Sequence, residues 1–130
     1  MAMTKKIKAV RAVTARPSPR KESLLSMKGL RVSYGDYEAL HGYCLELAPG
    51  EIHCIAGESG SGKSTTGRAL IRLYNPTSGK IIFDGHDISG NLSSADEKFL
   101  RQNMQMIFQD PMACLNPRKK VSEIIAQGLE

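Results

Sequence analysis

The spacing Gly57-x-x-x-x-Gly62-Lys63-Ser64 combines residue types suited to holding a chain of phosphates. Glycines let a backbone fold closely around phosphate oxygens with no Cβ in the way, so that main-chain N–H groups and a following helix N-terminus point at the anion. Lys63 then reaches the outer phosphates as a point charge, and the Ser64 hydroxyl is a ligand for Mg²⁺. The candidate nucleotide site is Gly57, Glu58, Ser59, Gly60, Ser61, Gly62, Lys63, Ser64 and Thr65. Glu58 and Ser59 lie where backbone geometry matters more than side-chain chemistry. This is the P-loop pattern, and it requires a strand before it and a helix after it.

The surrounding sequence meets that requirement. Glu51-Ile-His-Cys-Ile-Ala-Gly57 is a short apolar stretch that reads as a strand ending at the first glycine, entered by a turn at Pro49-Gly50. Residues 63–74 have helical spacing at Ala69, Leu70 and Leu73 and stop ahead of Pro76, which disfavours helix in the residue before it. Residues 24–34 and 43–48 read as strands separated by the turn-prone Gly35-Asp36, and residues 79–85 as a strand with an Asp84-Gly85 turn. Ser94 to Glu97 is a capping-box pattern that opens a short helix through Arg101. Met104 to Phe108 reads as a buried strand, followed by a polar loop with two prolines and a last helix from Val121.

The net charge of +5 is unevenly distributed. Seven of the 18 basic residues precede the first acidic residue, Glu22, leaving 11 basic against 13 acidic residues in the remainder, a balance of −2. The high pI therefore belongs to a tail over residues 1–22 and not to a binding face. Such a tail suits anionic lipid, nucleic acid or organellar transit, but a disordered, solvated extension or an early start codon is the reading taken, with no nucleic-acid partner expected. The folded part is expected over residues 23–130, as a single soluble domain if its topology is complete. No run approaches the ~18 to 20 apolar residues of a membrane span, and a cytosolic chain is the expectation. Three cysteines without CxxC spacing indicate neither a disulfide framework nor a zinc site, and His41, His53 and His86 lack ligand spacing.

Three segments, "SYGDYEALHGYCLELAPGE", "GESGSGKSTTGRALIRLYNPTSGKIIFDG" and "MQMIFQDPMACLNPRKKVSEII", together resemble the ATP-binding subunit of an ABC transporter, specifically the oligopeptide/dipeptide/nickel importer group. The resemblance covers roughly residues 24–130. It implies an α/β fold: a P-loop NTPase core of ABC ATPase type with an antiparallel β subdomain. It also implies ATP and Mg²⁺ as ligands. Tyr34 falls at the family's adenine-stacking aromatic, with Tyr37 a close competitor. Gln109 falls at the Q-loop glutamine, within reach of Mg²⁺ and the attacking water. Lys63 and Gln109 are thus the catalytic candidates, and Ser64 and Gln109 the metal ligands. Asp110, Pro111, Leu115, Asn116 and Pro117 fall on the face that docks on transmembrane permease subunits, with Cys114 where relatives commonly carry serine.

The resemblance also implies a second ATP-binding subunit, as homo- or heterodimer, an indirect periplasmic or lipid-anchored solute-binding protein, and a peripheral place on the cytoplasmic membrane face. The Walker B aspartate, its adjoining glutamate, the LSGGQ-type signature and the switch histidine do not occur in the sequence. The fold is therefore expected to be incomplete, with an exposed apolar sheet edge, and turnover by this chain alone is not expected. A stand-alone nucleotide-binding module is the alternative reading. A GTPase would carry an NKxD-type guanine reader, which is absent.

Overall fold

The computed structural model describes residues 11–13 and 23–127. In chain order the strands and helices are β1 (Arg11–Val13), β2 (Leu25–Tyr34), β3 (Tyr37–Leu47), β4 (Cys54–Ala56), α1 (Lys63–Leu70), β5 (Ser78–Phe83), β6 (His86–Asp87), α2 (Ser94–Asn103), α3 (Pro111–Cys114) and α4 (Val121–Ala126). Four strands form an antiparallel sheet in the order β3-β2-β5-β6, and β1 pairs antiparallel with β4 in a separate two-stranded ribbon.

The central strand β2 owes its buried face to a bulge. Leu25 and Met27 alternate inward as a strand demands, but the next buried residues are Leu30 and Val32, one position out of phase. The pairing with β3 slips by one residue between Met27 and Leu30, and the pairing with β5 slips between Lys28 and Arg31. Gly29, at φ 59°, takes up the extra residue, which returns the apolar side chains to the core face. Opposite it, Gly79 has φ 103°, and a Cβ there would lie 2.6 Å from the Gly29 carbonyl oxygen. Gly79 is thus required for the strands to meet at the bulge, and Gly29 supplies its left-handed turn.

Both hairpins turn on two residues. Tyr34 pairs with Tyr37 across Gly35-Asp36, and Phe83 pairs with His86 across Asp84-Gly85. Asp84 and Gly85 both have positive φ, which the tight turn matching strand twist requires. The core lies under the sheet, where Met27, Leu30, Val32, Ile81 and Ile88 are almost fully buried with Ala69 of α1 and Leu100 of α2. Full burial of such a side chain stabilises by about 1.5 to 3 kcal/mol, so this cluster is what joins the helices to the sheet.

Several sequence expectations are corrected. The strand expected at 43–48 begins at Tyr37, and the strand expected at 51–57 is regular only over Cys54–Ala56. Helix α1 ends at Leu70 rather than near 74, because Arg72 turns to φ 58° and donates to the carbonyls of Ser89 (2.8 Å) and Gly90 (2.7 Å). Residues 104–108 form no strand: no partner pairs with them among the described residues, and Ile107 is 96% exposed. The loop with two prolines contains a helical turn, α3, opened by Pro111. Within the expected tail, Arg11–Val13 is a strand, and the rest of residues 1–22 lies outside the described residues.

The cap of α2 is also displaced by one residue. Ser93, not Ser94, is the N-cap, and its hydroxyl accepts from the Asp96 amide while donating to the Asp96 carboxylate at 2.6 Å. That side-chain bond, with the Ser93 amide, holds the Asp96 carboxylate below the usual aspartate range. A lowered folded pKa contributes stability that is present above the ordinary aspartate value and lost as pH falls through the folded one. Ser93→Ala is predicted to cost about 1 kcal/mol near neutral pH in urea denaturation. The difference from wild type should narrow in acid; a gap unchanged at low pH would separate the cap from Asp96.

Candidate functional site

The phosphate loop is positioned from β3 as much as from β4. Strand β4 delivers the chain at Ala56, and residues 57–62 turn before α1 begins at Lys63. Gly60 and Gly62 have φ 78° and 96°, values that side chains rarely allow. Gly62 caps the helix and lies against β3, where a Cβ would meet the Ala39 carbonyl oxygen at 2.8 Å and Leu40 Cδ2 at 2.9 Å. Thr66, buried one turn on, donates through both its amide (2.8 Å) and hydroxyl (2.9 Å) to the Gly62 carbonyl. At the start of the loop, a Cβ on Gly57 would lie 2.5 Å from Ser61 Oγ, so a side chain there would require the Ser61 hydroxyl to move.

The charge at this site is positive. The first turn of α1 carries no acidic residue to offset its dipole. The Lys63 ammonium folds back over the loop and donates to the carbonyls of Gly57 (2.8 Å) and Glu58 (2.7 Å) and to Ser61 Oγ at 3.3 Å. Lys63 thereby spans the rim that an anion would enter.

A cleft of about 460 Å³ opens above the loop. Ser59, Gly60, Gly62, Lys63, Ser64 and Thr65 line one end, and Tyr34, Tyr37 and Ala39 line the β2–β3 side. Gln109 closes the third side. Its segment is brought there by Met106, whose Cε would lie 3.1 Å from a Cβ on Gly67 of α1. Of the eleven residues read from the sequence as nucleotide or metal contacts, eight line this one cleft. The other three, Gly57, Glu58 and Ser61, lie in the loop wall, where they accept the bonds from Lys63. Ser64 and Gln109 both line the cleft, and their side chains carry oxygen, the donor type that Mg²⁺ takes.

The sequence model of the ABC transporter family matches residues 40–128. The chain belongs to the ABC transporter family. Among curated proteins, the oligopeptide transport ATP-binding protein AppF of Bacillus subtilis (strain 168) is 52% identical over 93 residues, covering 72% of this chain and 28% of AppF. OppF of the same organism, also an oligopeptide transport ATP-binding protein, is 43% identical over 113 residues, covering 84% of this chain and 37% of OppF. Among solved structures, cbiO1 from Clostridium perfringens, part of the ABC transporter complex cbiONQ, aligns with a TM-score of 0.61 at 27% identity, covering 82% of this chain and 47% of cbiO1. This ABC transporter chain thus spans about a third of the length of AppF and OppF, and the part it spans has the mixed α/β fold of the ABC ATPases. Among the described residues, no helix is long and apolar enough to cross a membrane.

Two lining residues carry no motif signal of their own. Ala39 lines the cleft two positions after Tyr37 on β3, and its backbone carbonyl is what Gly62 approaches. Tyr37 stood in the sequence only as a competitor of Tyr34, and the ABC cleft is lined by both. In this ABC chain, Gly62→Ala is predicted to lose at least about 2 kcal/mol of stability, because left-handed strain adds to a backbone clash. Chemical denaturation would measure it; a loss under about 0.5 kcal/mol, the range of an ordinary surface substitution, would mean that β3 does not hold the loop.

Proposed function

We propose that this chain binds Mg–ATP across the cleft, as the nucleotide-contacting front of the energy-coupling subunit of a peptide-type importer. The observation that carries this reading is the convergence of an aromatic hairpin, a cationic glycine loop and Gln109 on one cleft. In it, the triphosphate lies on the amides of residues 57–65 and the Lys63 ammonium moves from the loop carbonyls to the outer phosphates. Tyr34 stacks on the adenine, a contact worth roughly 1 to 3 kcal/mol where aromatic rings stack on nucleic-acid bases. Ser64 and Gln109 would hold Mg²⁺, which would supply positive charge against the phosphates. Gln109 also orients the attacking water.

Transport rests on more than this cleft. Hydrolysis is proposed for a completed domain paired with a second ATP-binding subunit, homo- or heterodimeric, peripheral on the cytoplasmic face of the membrane. The turn from Asp110 to Pro117 meets the permease there. Met112 is 75% exposed and Leu115 45%, and Asp110 caps the turn by accepting from the Met112 and Ala113 amides, which gives that face a fixed shape. The names of AppF and OppF favour peptides as the solute, delivered by a solute-binding protein.

A second reading, binding without turnover, is favoured for this chain alone by the lining of the cleft, which among the described residues includes no aspartate or glutamate side chain to activate water. Titration of the full chain with Mg–ATP tests the first step. Lys63→Ala is predicted to abolish binding, and unchanged affinity would remove the phosphate-loop assignment. Ser64→Ala should weaken binding in Mg²⁺ and leave it little changed in EDTA. GTP competing as well as ATP would count against adenine stacking, and steady phosphate release by the purified chain would overturn binding without turnover.

A further inference from the structure

We propose that Tyr37 is a second base-contacting residue, so that the purine is held by a pair of tyrosines across the β2–β3 turn and not by Tyr34 alone; this rests on the nucleotide reading above. Tyr34 and Tyr37 are directly opposed partners flanking a two-residue turn, and opposed residues of an antiparallel pair project from the same face of the ribbon. Both line the cleft that holds the phosphate loop. Tyr37 is 50% exposed and Tyr34 43%, so each has free ring surface to give to a ligand.

Strand direction places Tyr37 where a base must pass. The Ala39 carbonyl lies against Gly62 at the foot of the loop, and Tyr37 stands two residues back toward the turn, beyond a bulge at which Val32 pairs with Leu40 and Ser33 with Glu38. A nucleotide with its phosphates on the loop and its base at Tyr34 therefore runs alongside Tyr37.

The two rings are also held differently. Tyr34 packs edge-on against Tyr74, with centroids 5.5 Å apart and planes at 84°, and Arg68 lies 5.8 Å over the Tyr74 ring. Tyr34 is therefore held by Tyr74, which Arg68 of α1 covers in turn. Among the described residues Tyr37 has no such ring neighbour, so its side chain can adjust to the ligand.

Calorimetric titration of the full chain with Mg–ATP and with Mg–tripolyphosphate separates base contacts from phosphate contacts. Wild type should prefer ATP. Tyr37→Ala should reduce ATP affinity about five-fold or more with tripolyphosphate affinity unchanged, as should Tyr34→Ala, while Tyr37→Phe keeps the preference. Tyr37→Leu, which preserves a bulky strand residue, should reproduce Tyr37→Ala and exclude a collapsed hairpin as the cause. A Tyr37→Ala chain that keeps the full ATP preference while Tyr34→Ala loses it would overturn the proposal and leave the nucleotide reading standing. A wild-type chain with no preference for ATP over tripolyphosphate would overturn both.

Discussion

The approach of Gly62 to the Ala39 carbonyl is the constraint on which the site depends. At this point a helix N-terminus rests on a strand, and a Cβ on Gly62 would meet that carbonyl at 2.8 Å and Leu40 Cδ2 at 2.9 Å. The contact ties together two parts of the chain that no hydrogen-bonded ladder joins, since β4 pairs with β1 and β3 with β2. It sets how far the tyrosine hairpin stands from the phosphate loop. Thr66 then locks the helix to the same residue through two bonds to the Gly62 carbonyl.

That contact is useful only if β3 is itself immobile, and β3 is an edge strand held by β2. Strand β2 is fixed in turn because its four core residues face inward on both sides of the bulge at Gly29. Without the extra residue, Leu30 and Val32 would point away from the core and the strand would gain apolar burial along only half its length. The bulge needs Gly79 opposite it, so β5 takes part in positioning a site that it never touches. The path from β5 to the phosphate loop runs through close backbone approaches at glycine, which tolerate less change than packed side chains do.

The strand, glycine loop and helix around Lys63 were legible in the sequence because the pattern has a fixed spacing of glycines, lysine and serine within nine residues. The hairpin at Gly35-Asp36 was legible for a similar local reason. Elements that depend on distant partners were less so. Met104 to Phe108 has the composition of a buried strand, but a strand exists only where another offers its amides and carbonyls, and apolar content does not report that. The reverse holds for Arg11–Val13, which carries no strand pattern yet meets an open edge of β4. The α2 cap was misplaced by one residue because Ser93 and Ser94 each have an acid three positions on, and the sequence alone does not rank the two boxes. Ala39 had no signal, since what it offers Gly62 is a backbone carbonyl.

The state of Lys63 bears on where affinity for a nucleotide comes from. Its ammonium already makes three bonds inside the loop, two of them to main-chain carbonyls at 2.8 Å or less. Hydrogen bonds to charged groups are worth about 1.5 to 3 kcal/mol each, so moving the ammonium to phosphate oxygens exchanges one set of strong bonds for another. The gain at the phosphate end is then a difference, smaller than the contacts themselves indicate, and the helix dipole and loop amides must supply much of it. Stacking at the base, at about 1 to 3 kcal/mol, is of comparable size. Nothing in the loop has to be released before the half-exposed tyrosines can make that contact. In the proposed binding mode, discrimination between a nucleotide and a bare polyphosphate therefore falls to the β2–β3 hairpin, and the close approach at Gly62 is what brings that hairpin within reach.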